Sequence, residues 1–152
     1  MSSNHEYYMG LALEEAKQAG KTGEIPIGAV IIDDHGKILA RARNRVIERS
    51  DPTAHSEILA LQEAGQKLGN YRLLNTTLYV SIEPCPMCVG AMVHARVSRL
   101  VFGARDLKWG AAGSLYDLCS DTRLNHRIEV VTGVLENQSR ELMQQFFQEK
   151  RR

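Results

Sequence analysis

Three potential metal ligands and one additional carboxylate occur in two short motifs, His55-Ser56-Glu57 and Pro84-Cys85-Pro86-Met87-Cys88. Imidazole and thiolate are preferred ligands of zinc, so His55, Cys85 and Cys88 could bind one ion. A structural zinc site normally uses four protein ligands, whereas a catalytic site keeps one position open for water. Because the motifs supply three ligands and leave Glu57 without a ligand role, they predict a hydrolytic site in which Glu57 moves protons.

Both motifs fall at the N-termini of predicted helices, where the positive end of the helix dipole stabilises a thiolate. A Cys85–Cys88 redox pair is the competing interpretation of the second motif, but it does not explain His55 and Glu57. Each motif alone is weak evidence, since short patterns recur by chance. The two motifs in this order, each with a nearby preceding proline, strongly favour a metal site.

The composition is that of one soluble globular domain, which we expect to span residues 1–152. Hydrophobic residues make up 43% of the chain and charged residues 24%, as in ordinary globular proteins. The sequence contains no membrane-span pattern and its start lacks the features of a signal peptide, so we expect a cytoplasmic protein. The net charge of +1 lacks the strongly basic signature of a non-specific nucleic-acid binder but leaves an RNA substrate open. Cys119 is expected to be a small core residue or an inert thiol.

Helical and strand patterns alternate along the whole chain, which predicts one layered α/β domain. The predicted helices cover residues 6–19, 51–68, 83–96 and 135–152, and the predicted strands cover residues 25–32, 37–46, 76–82, 99–103 and 127–132. Asp51 and Pro52 are expected to open the second helix, as N-cap and first helical residue. The first two strands should form a hairpin.

The segment 104–125 has little periodicity, which is typical of a functional loop. A loop wrapped around a short helix at residues 114–119 is an equally good interpretation. The remaining histidines lack ligand spacing, so structural roles are favoured for His5, His35, His94 and His126. His5 and His35 are expected to be exposed.

The two motifs together resemble the H-x-E and P-C-x-x-C signature of the zinc-dependent cytidine-deaminase superfamily. Within it, nearly the whole chain is similar to the bacterial tRNA-specific adenosine deaminases. The segments that resemble this branch are Asn70-Tyr71-Arg72-Leu73, Val101-Phe102-Gly103-Ala104-Arg105-Asp106, Gly110-Ala111-Ala112-Gly113-Ser114-Leu115 and Asn125-His126-Arg127. The resemblance implies a three-layer α/β/α cytidine-deaminase-like fold with a mixed five-stranded sheet, and a homodimer.

The resemblance also implies roles for individual residues. One Zn²⁺ per subunit would be bound by His55, Cys85 and Cys88, with Glu57 as the proton shuttle. In substrate binding, the resemblance implies that Asn44 hydrogen-bonds the flipped nucleoside and that Asp106 and Lys108 touch the anticodon backbone. It also implies that Phe147 lies near the RNA path, and that Lys150 and Arg151 offer phosphate contacts. The implied reaction is hydrolytic deamination of adenosine to inosine at the wobble position of a tRNA anticodon loop.

Strand alternation adds an independent expectation, because it places Asn44 on the opposite face from Arg41, Arg43 and Arg45. For these arginines a solvated face or a subunit contact is favoured over RNA contact. Two positions depart from the family. Ser56 stands where alanine is usual, and Trp109 stands where a small polar residue is common and could either stack on a base or pack.

Two alternative functions stay open. The motifs equally permit a deaminase of a free base or nucleotide, of the guanine or cytosine type, and Pro86 also occurs in such enzymes. A zinc-stabilised RNA-binding domain without activity is the second alternative, although the intact Glu57 offers no reason for inactivation.

Overall fold

The structure is a computed structural model that describes the backbone of residues 2–150 and the side chains of residues 4–150. Four helices are α1 (Ser2–Lys21), α2 (Ser56–Leu68), α3 (Pro86–Ala95) and α4 (Glu136–Lys150). Five strands are β1 (Gly28–Ile32), β2 (Ile38–Arg43), β3 (Thr77–Ile82), β4 (Arg99–Ala104) and β5 (Glu129–Val131). None of the helices in this part of the chain is long and apolar enough to cross a membrane.

The strands form one mixed sheet in the order β2-β1-β3-β4-β5. Strand β1 pairs antiparallel with β2 and with β3, whereas β3, β4 and β5 pair in parallel. Helices α1 and α4 pack on one face of the sheet, and α2 and α3 pack on the other. The expected three-layer α/β/α fold with a mixed five-stranded sheet is therefore confirmed.

The alternation of side chains along β1 explains why both faces of the sheet are covered. Val30 and Ile32 belong to the apolar cluster beneath α1, while Ala29 and Ile31 belong to the larger cluster beneath α2 and α3. All four side chains are buried, so exposing either face of β1 to water would be unfavourable. Gly28 permits close packing of α1, since a Cβ atom there would lie 2.1 Å from the carbonyl oxygen of Ala12.

The strand directions bring the two sequence motifs to one edge of the sheet. Because β1 is antiparallel to both β2 and β3, β2 and β3 run in the same direction. Their carboxyl ends, at Arg43 and Ile82, therefore lie at the same edge. Asn44 follows the first of these strands and Cys85 follows the second.

The predicted start of the second helix was wrong. Helix α2 begins at Ser56, and Asp51 instead closes a turn in which its Oδ1 accepts hydrogen bonds from the amide and hydroxyl of Thr53, at 2.8 and 2.7 Å. An aspartate side chain can satisfy amides in a turn as readily as at a helix start. The true N-cap is therefore His55, one of the proposed ligands.

Several other boundaries differ from the sequence prediction. Helix α1 covers Ser2–Lys21 and not residues 6–19, and α3 begins at Pro86 and not at residue 83. Strand β1 begins at Gly28 and not at residue 25, and β2 ends at Arg43 and not at residue 46. The segment between β4 and β5 is a loop without the short helix at residues 114–119 that had been the alternative. Within it, Ala112 and Asp117 form an isolated antiparallel bridge, which uses backbone groups that a helix would need.

Candidate metal centre and active site

Three ligand atoms converge at the edge of the sheet where β2 and β3 end. The Sγ atoms of Cys85 and Cys88 lie 3.7 Å apart, and Nδ1 of His55 lies 3.7 Å from the first and 3.5 Å from the second. Tetrahedral zinc with ordinary bond lengths separates two sulfurs by about 3.8 Å and a sulfur from a nitrogen by about 3.6 Å. The spacing of these donors therefore fits a single tetrahedral ion with a fourth position left for another ligand.

Helix starts position all three donors. His55 is the N-cap of α2 and Cys85 is the N-cap of α3, both with extended backbone. Pro86 occupies the start of α3, where its fixed φ and missing N–H suit the first turn. Cys88 lies within that turn and is buried. Two helix dipoles thus point their positive ends at the site, which stabilises thiolates.

The pKa values of the two thiols are shifted in opposite directions. The hydrogen bond with the Cys88 thiol, assisted by His55, lowers the pKa of Cys85 to about 4. The same hydrogen bond and burial raise the pKa of Cys88 above its usual range. The hydrogen bond with Cys85 raises the pKa of His55. The donors therefore share protons among themselves, and a divalent ion that binds them must displace these protons.

Glu57 lies on the first turn of α2 beside this group and is buried, with 4% of its surface exposed. Burial raises the pKa of its carboxyl group, since the charged form loses solvation. The buried hydroxyl of Ser56 donates a 2.9 Å hydrogen bond to Oε1 and opposes this rise. A buried carboxylate whose pKa is raised is suited to take up and release protons during a reaction.

Asn44 follows β2 and is buried next to the start of α2. Its Oδ1 accepts a 2.8 Å hydrogen bond from the amide of Ser56, one of the helix amides that has no partner within the helix. The Asn44 oxygen is thus occupied, and among the described residues its Nδ2 makes no hydrogen bond. The predicted contact of Asn44 with a nucleoside would use this amide nitrogen as the donor.

Glu83 is a buried carboxylate that the sequence analysis did not single out. It accepts hydrogen bonds from the amides of Asp106, Ala112 and Ser114, at 3.1, 3.0 and 3.0 Å, and from the Ser114 hydroxyl. Four donors from one loop therefore converge on the residue two positions before Cys85. The available signal was an acidic residue that ends an apolar strand and precedes Pro84.

Glu24, on the other side of the site, is a second buried carboxylate that holds a connecting segment through its backbone amides. Its carboxylate accepts hydrogen bonds from the amides of Ile47 and Glu48, at 3.1 and 2.8 Å, and only 3% of its surface is exposed. It thereby anchors the turn between Asn44 and His55. Sequence reasoning missed it because its partners are backbone amides, which leave no residue pattern.

The other predicted substrate contacts lie farther from the three ligands. Asp106 and Lys108 belong to the loop that Glu83 holds, and Oδ1 of Asp106 accepts a hydrogen bond from the Lys108 amide at 3.0 Å. Phe147 lies on α4, is 40% exposed and packs edge-on against Phe146. Lys150 lies over the ring of Phe146. Arg151 falls outside the described residues.

The remaining histidines differ in their surroundings. His5 was expected to be exposed but is partly buried, because its Nδ1 lies 2.8 Å from the Tyr79 hydroxyl oxygen. Burial lowers the pKa of His5. His35 and His94 are exposed, and Nε2 of His126 hydrogen-bonds the carbonyl oxygen of Val97 at 2.7 Å.

Arg41 of β2 and Cys119 both lie outside the site. Arg41 forms ion pairs of 3.1 Å with both Glu14 and Glu15 of α1, so it contacts a helix of its own chain and not the solvated face or subunit contact expected for it. Cys119 is fully buried in the larger core cluster, as expected of a small core residue.

Comparison with known proteins connects this site with deaminases. The MafB19-like deaminase family model matches residues 3–151. A tRNA-specific adenosine deaminase of Haemophilus influenzae is 49% identical over 96% of this chain and 84% of its own length. One of Bacillus subtilis is 48% identical over 97% of this chain and 91% of its own length.

Solved structures show the same relationship. One from a study of A-to-I editing by tRNA:A34 deaminases at the wobble position of transfer RNA superposes with a TM-score of 0.86 at 43% identity, covering 90% of this chain and 98% of that chain. A guanine deaminase from Nitrosomonas europaea gives a TM-score of 0.81 at 28% identity, covering 93% of this chain and 83% of that chain.

Proposed function

This chain belongs to the family of bacterial tRNA-specific adenosine deaminases, and from that membership we propose that it converts adenosine to inosine at the wobble position of a tRNA anticodon. The observation that carries the proposal is the convergence of the His55, Cys85 and Cys88 donor atoms, at 3.5 to 3.7 Å from one another, beside the buried carboxylate of Glu57. In the reaction, water replaces the amino group at C6 of adenine, and ammonia leaves.

One Zn²⁺ per subunit is the proposed cofactor, with His55, Cys85 and Cys88 as its ligands. Thiolate ligands favour zinc over magnesium, calcium or manganese. Zinc held there supplies Lewis acidity, which allows an attacking water to ionise near neutral pH.

Glu57 is the proposed proton carrier. Its carboxylate accepts the two protons of the attacking water in turn, delivering the first to the ring nitrogen and the second to the departing amine, so that one water is consumed and one ammonia is released. The raised pKa of the buried carboxyl supports this role, because the group must both accept and return a proton in each turnover.

Substrate binding is proposed to use the amide nitrogen of Asn44 for the flipped nucleoside. Asp106, Lys108 and Phe147 would contact the anticodon loop, and Lys150 would contact phosphate. Unpaired loop bases can leave the stack, which allows a target base to enter a buried site. A tRNA substrate also places the protein in the cytoplasm.

A homodimer is proposed through the outer face of α2 and α3. A groove of about 710 Å³ lies there, with an apolar lining that includes Ile58, Leu61, Ala91 and Ala95. Ile58 follows His55 by three residues, so a second copy on this face would lie near the start of α2, which carries His55. Sedimentation should give twice the mass of one chain; a sedimentation mass of one chain at micromolar concentration would contradict the dimer.

The decisive experiment compares substrates. Zinc-loaded protein is incubated with a tRNA carrying adenosine at the wobble position, with the same tRNA carrying guanosine there, and with free adenosine, guanine and cytosine. Inosine should form only in the first tRNA. Glu57→Ala should retain zinc and form no inosine. Ammonia release from free guanine or cytosine alone would support a free-base deaminase, and no ammonia from any substrate would support an inactive RNA-binding domain.

A further inference from the structure

Trp109 is the single tryptophan of the chain, and 64% of its surface is exposed. Large aromatic side chains are usually buried to a high degree, so this exposure removes the possibility that Trp109 serves the protein core. It lies in the loop between β4 and β5, two residues before Ala111. The Ala111 amide donates a 2.9 Å hydrogen bond to the carbonyl oxygen of Pro84, the residue that precedes the proposed ligand Cys85.

The backbone around Trp109 is held in place although its side chain is not packed. Oδ1 of Asp106 accepts a 3.1 Å hydrogen bond from the Trp109 amide and another from Lys108, and the Asp106 carbonyl accepts a 2.8 Å hydrogen bond from Gly110. The loop therefore presents the indole ring from a fixed base. Presenting a contact group in this way reduces the conformational entropy lost on binding.

Glu83 holds the part of the loop between Asp106 and Ser114 against the end of β3 through its four hydrogen bonds. The packing is close, because a Cβ atom on Gly110 would lie 2.4 Å from Cδ of Glu83. Glu83 is thus a positioning residue for Trp109. It connects the exposed ring with the strand end that leads directly to Cys85.

Positive charge flanks the ring. Arg105 and Lys108 are exposed, and neither forms an ion pair with any residue in the described part of the chain. The nearest acidic side chain in sequence, Asp106, uses Oδ1 for the loop amides. The Arg105 guanidinium also lies over the ring of Phe102, 5.8 Å from its centroid. An exposed aromatic ring close in sequence to two cations without ion-pair partners suits single-stranded nucleic acid, because bases stack on the ring and phosphates attract the cations.

We propose that Trp109 stacks on an unpaired base adjacent to the target adenosine, while Arg105 and Lys108 contact the neighbouring phosphates. This inference rests on the proposed RNA substrate and deepens it, since it assigns a binding position for a base other than the one that reacts. Trp109 therefore contributes to RNA affinity beside the target, and stacking of this kind tolerates different bases.

RNA binding at Trp109 can be measured by tryptophan fluorescence, since Trp109 is the single tryptophan of the protein. Titration with an anticodon stem-loop that carries adenosine at the wobble position should quench the fluorescence. Trp109→Ala should raise KM for this RNA about tenfold, the effect of losing one base stack, and leave kcat nearly unchanged. Trp109→Phe should recover most of the loss, and Leu107→Ala, an equally exposed neighbour at 76%, should match the unmodified protein.

Abasic substitution identifies the stacked base. Removing the base at one position beside the target should abolish quenching and raise KM for the unmodified protein, but should add little to the KM of Trp109→Ala. Inosine formation without quenching, or a Trp109→Ala variant with unchanged KM, would overturn the stacking proposal alone. Failure of the unmodified protein to deaminate this RNA, with ammonia released from a free base, would instead overturn the proposed function.

Discussion

The Ser56 hydroxyl donates a 2.9 Å hydrogen bond to Oε1 of Glu57, and both side chains are buried. A hydroxyl that donates to a carboxylate favours the charged form. The contact therefore moderates the rise in the pKa of Glu57 that burial causes.

The first prediction concerns Ser56→Ala. Without the hydroxyl the pKa of Glu57 should rise further, so the acidic limb of the kcat profile should move to higher pH. The fall in kcat at neutral pH should be about tenfold, the lower end of the effect of one hydrogen bond to a charged group. The measurement is kcat against pH from 5 to 9 for both proteins. An acidic limb that stays in place, or moves to lower pH, would show that Ser56 does not influence Glu57.

The second prediction concerns the metal. Cys88→Ala should leave two protein ligands and lose most bound zinc, measured by elemental analysis after gel filtration. Cys119→Ala is the matched control, because Cys119 is also buried but lies outside the ligand group. Full zinc occupancy in Cys88→Ala would refute its assignment as a ligand.

Zinc binding should also weaken as pH falls, which is the third prediction. His55 and Cys88 hold protons when the metal is absent, because their pKa values are raised, whereas the pKa of Cys85, lowered to about 4, leaves its thiol ionised. Zinc must displace these protons, so acidification favours the metal-free form. Competition with a chromogenic chelator at pH 8 and pH 6 measures the zinc affinity. A zinc affinity independent of pH, after correction for the chelator, would contradict this ligand set.

A fourth prediction separates the two functions of Asn44. Asn44→Asp keeps an oxygen for the Ser56 amide but loses the donor nitrogen proposed to bind the nucleoside. We expect a fall in kcat of at least about tenfold, with a melting temperature close to that of the unmodified protein. Asn44→Ala should lower both, since it also removes the partner of a helix amide. If Asn44→Asp weakened RNA binding as much as turnover, Asn44 would serve RNA docking instead.

The fifth prediction concerns stability and His5. Burial lowers the pKa of His5 in the folded protein below the 6.5 of an exposed histidine, so the unfolded chain binds a proton more readily. The free energy of unfolding should therefore fall as pH drops below about 6.5. His5→Gln should reduce the difference in unfolding free energy between pH 7.5 and pH 5.5, measured by urea denaturation. His35→Gln is the control, since its side chain is 88% exposed and its replacement should change nothing.

The sequence alone determined the chemistry of the site, because residue types and short spacings carry that information. A histidine, two cysteines three residues apart and a spare glutamate define a possible zinc centre before any fold is known. The first-turn position of Pro86 was also predicted, since within a helix proline suits the first turn, although the predicted helix began at residue 83 and α3 begins at Pro86. The five strands and four helices were also predicted, because each is marked by its own local periodicity.

Only the tertiary structure decided which partners the polar side chains choose. Asp51 looked like a helix cap, yet it closes a turn, because the chain between Asn44 and His55 is held by Glu24. Glu83 is predicted to start a helix, yet it lies between β3 and α3 and holds the loop that presents Trp109. The hydrogen bonds of Glu24 and Glu83 join residues 23 or more positions apart and end mostly on backbone amides. Every residue except proline has such an amide, so the sequence does not indicate which amide a buried carboxylate will bind.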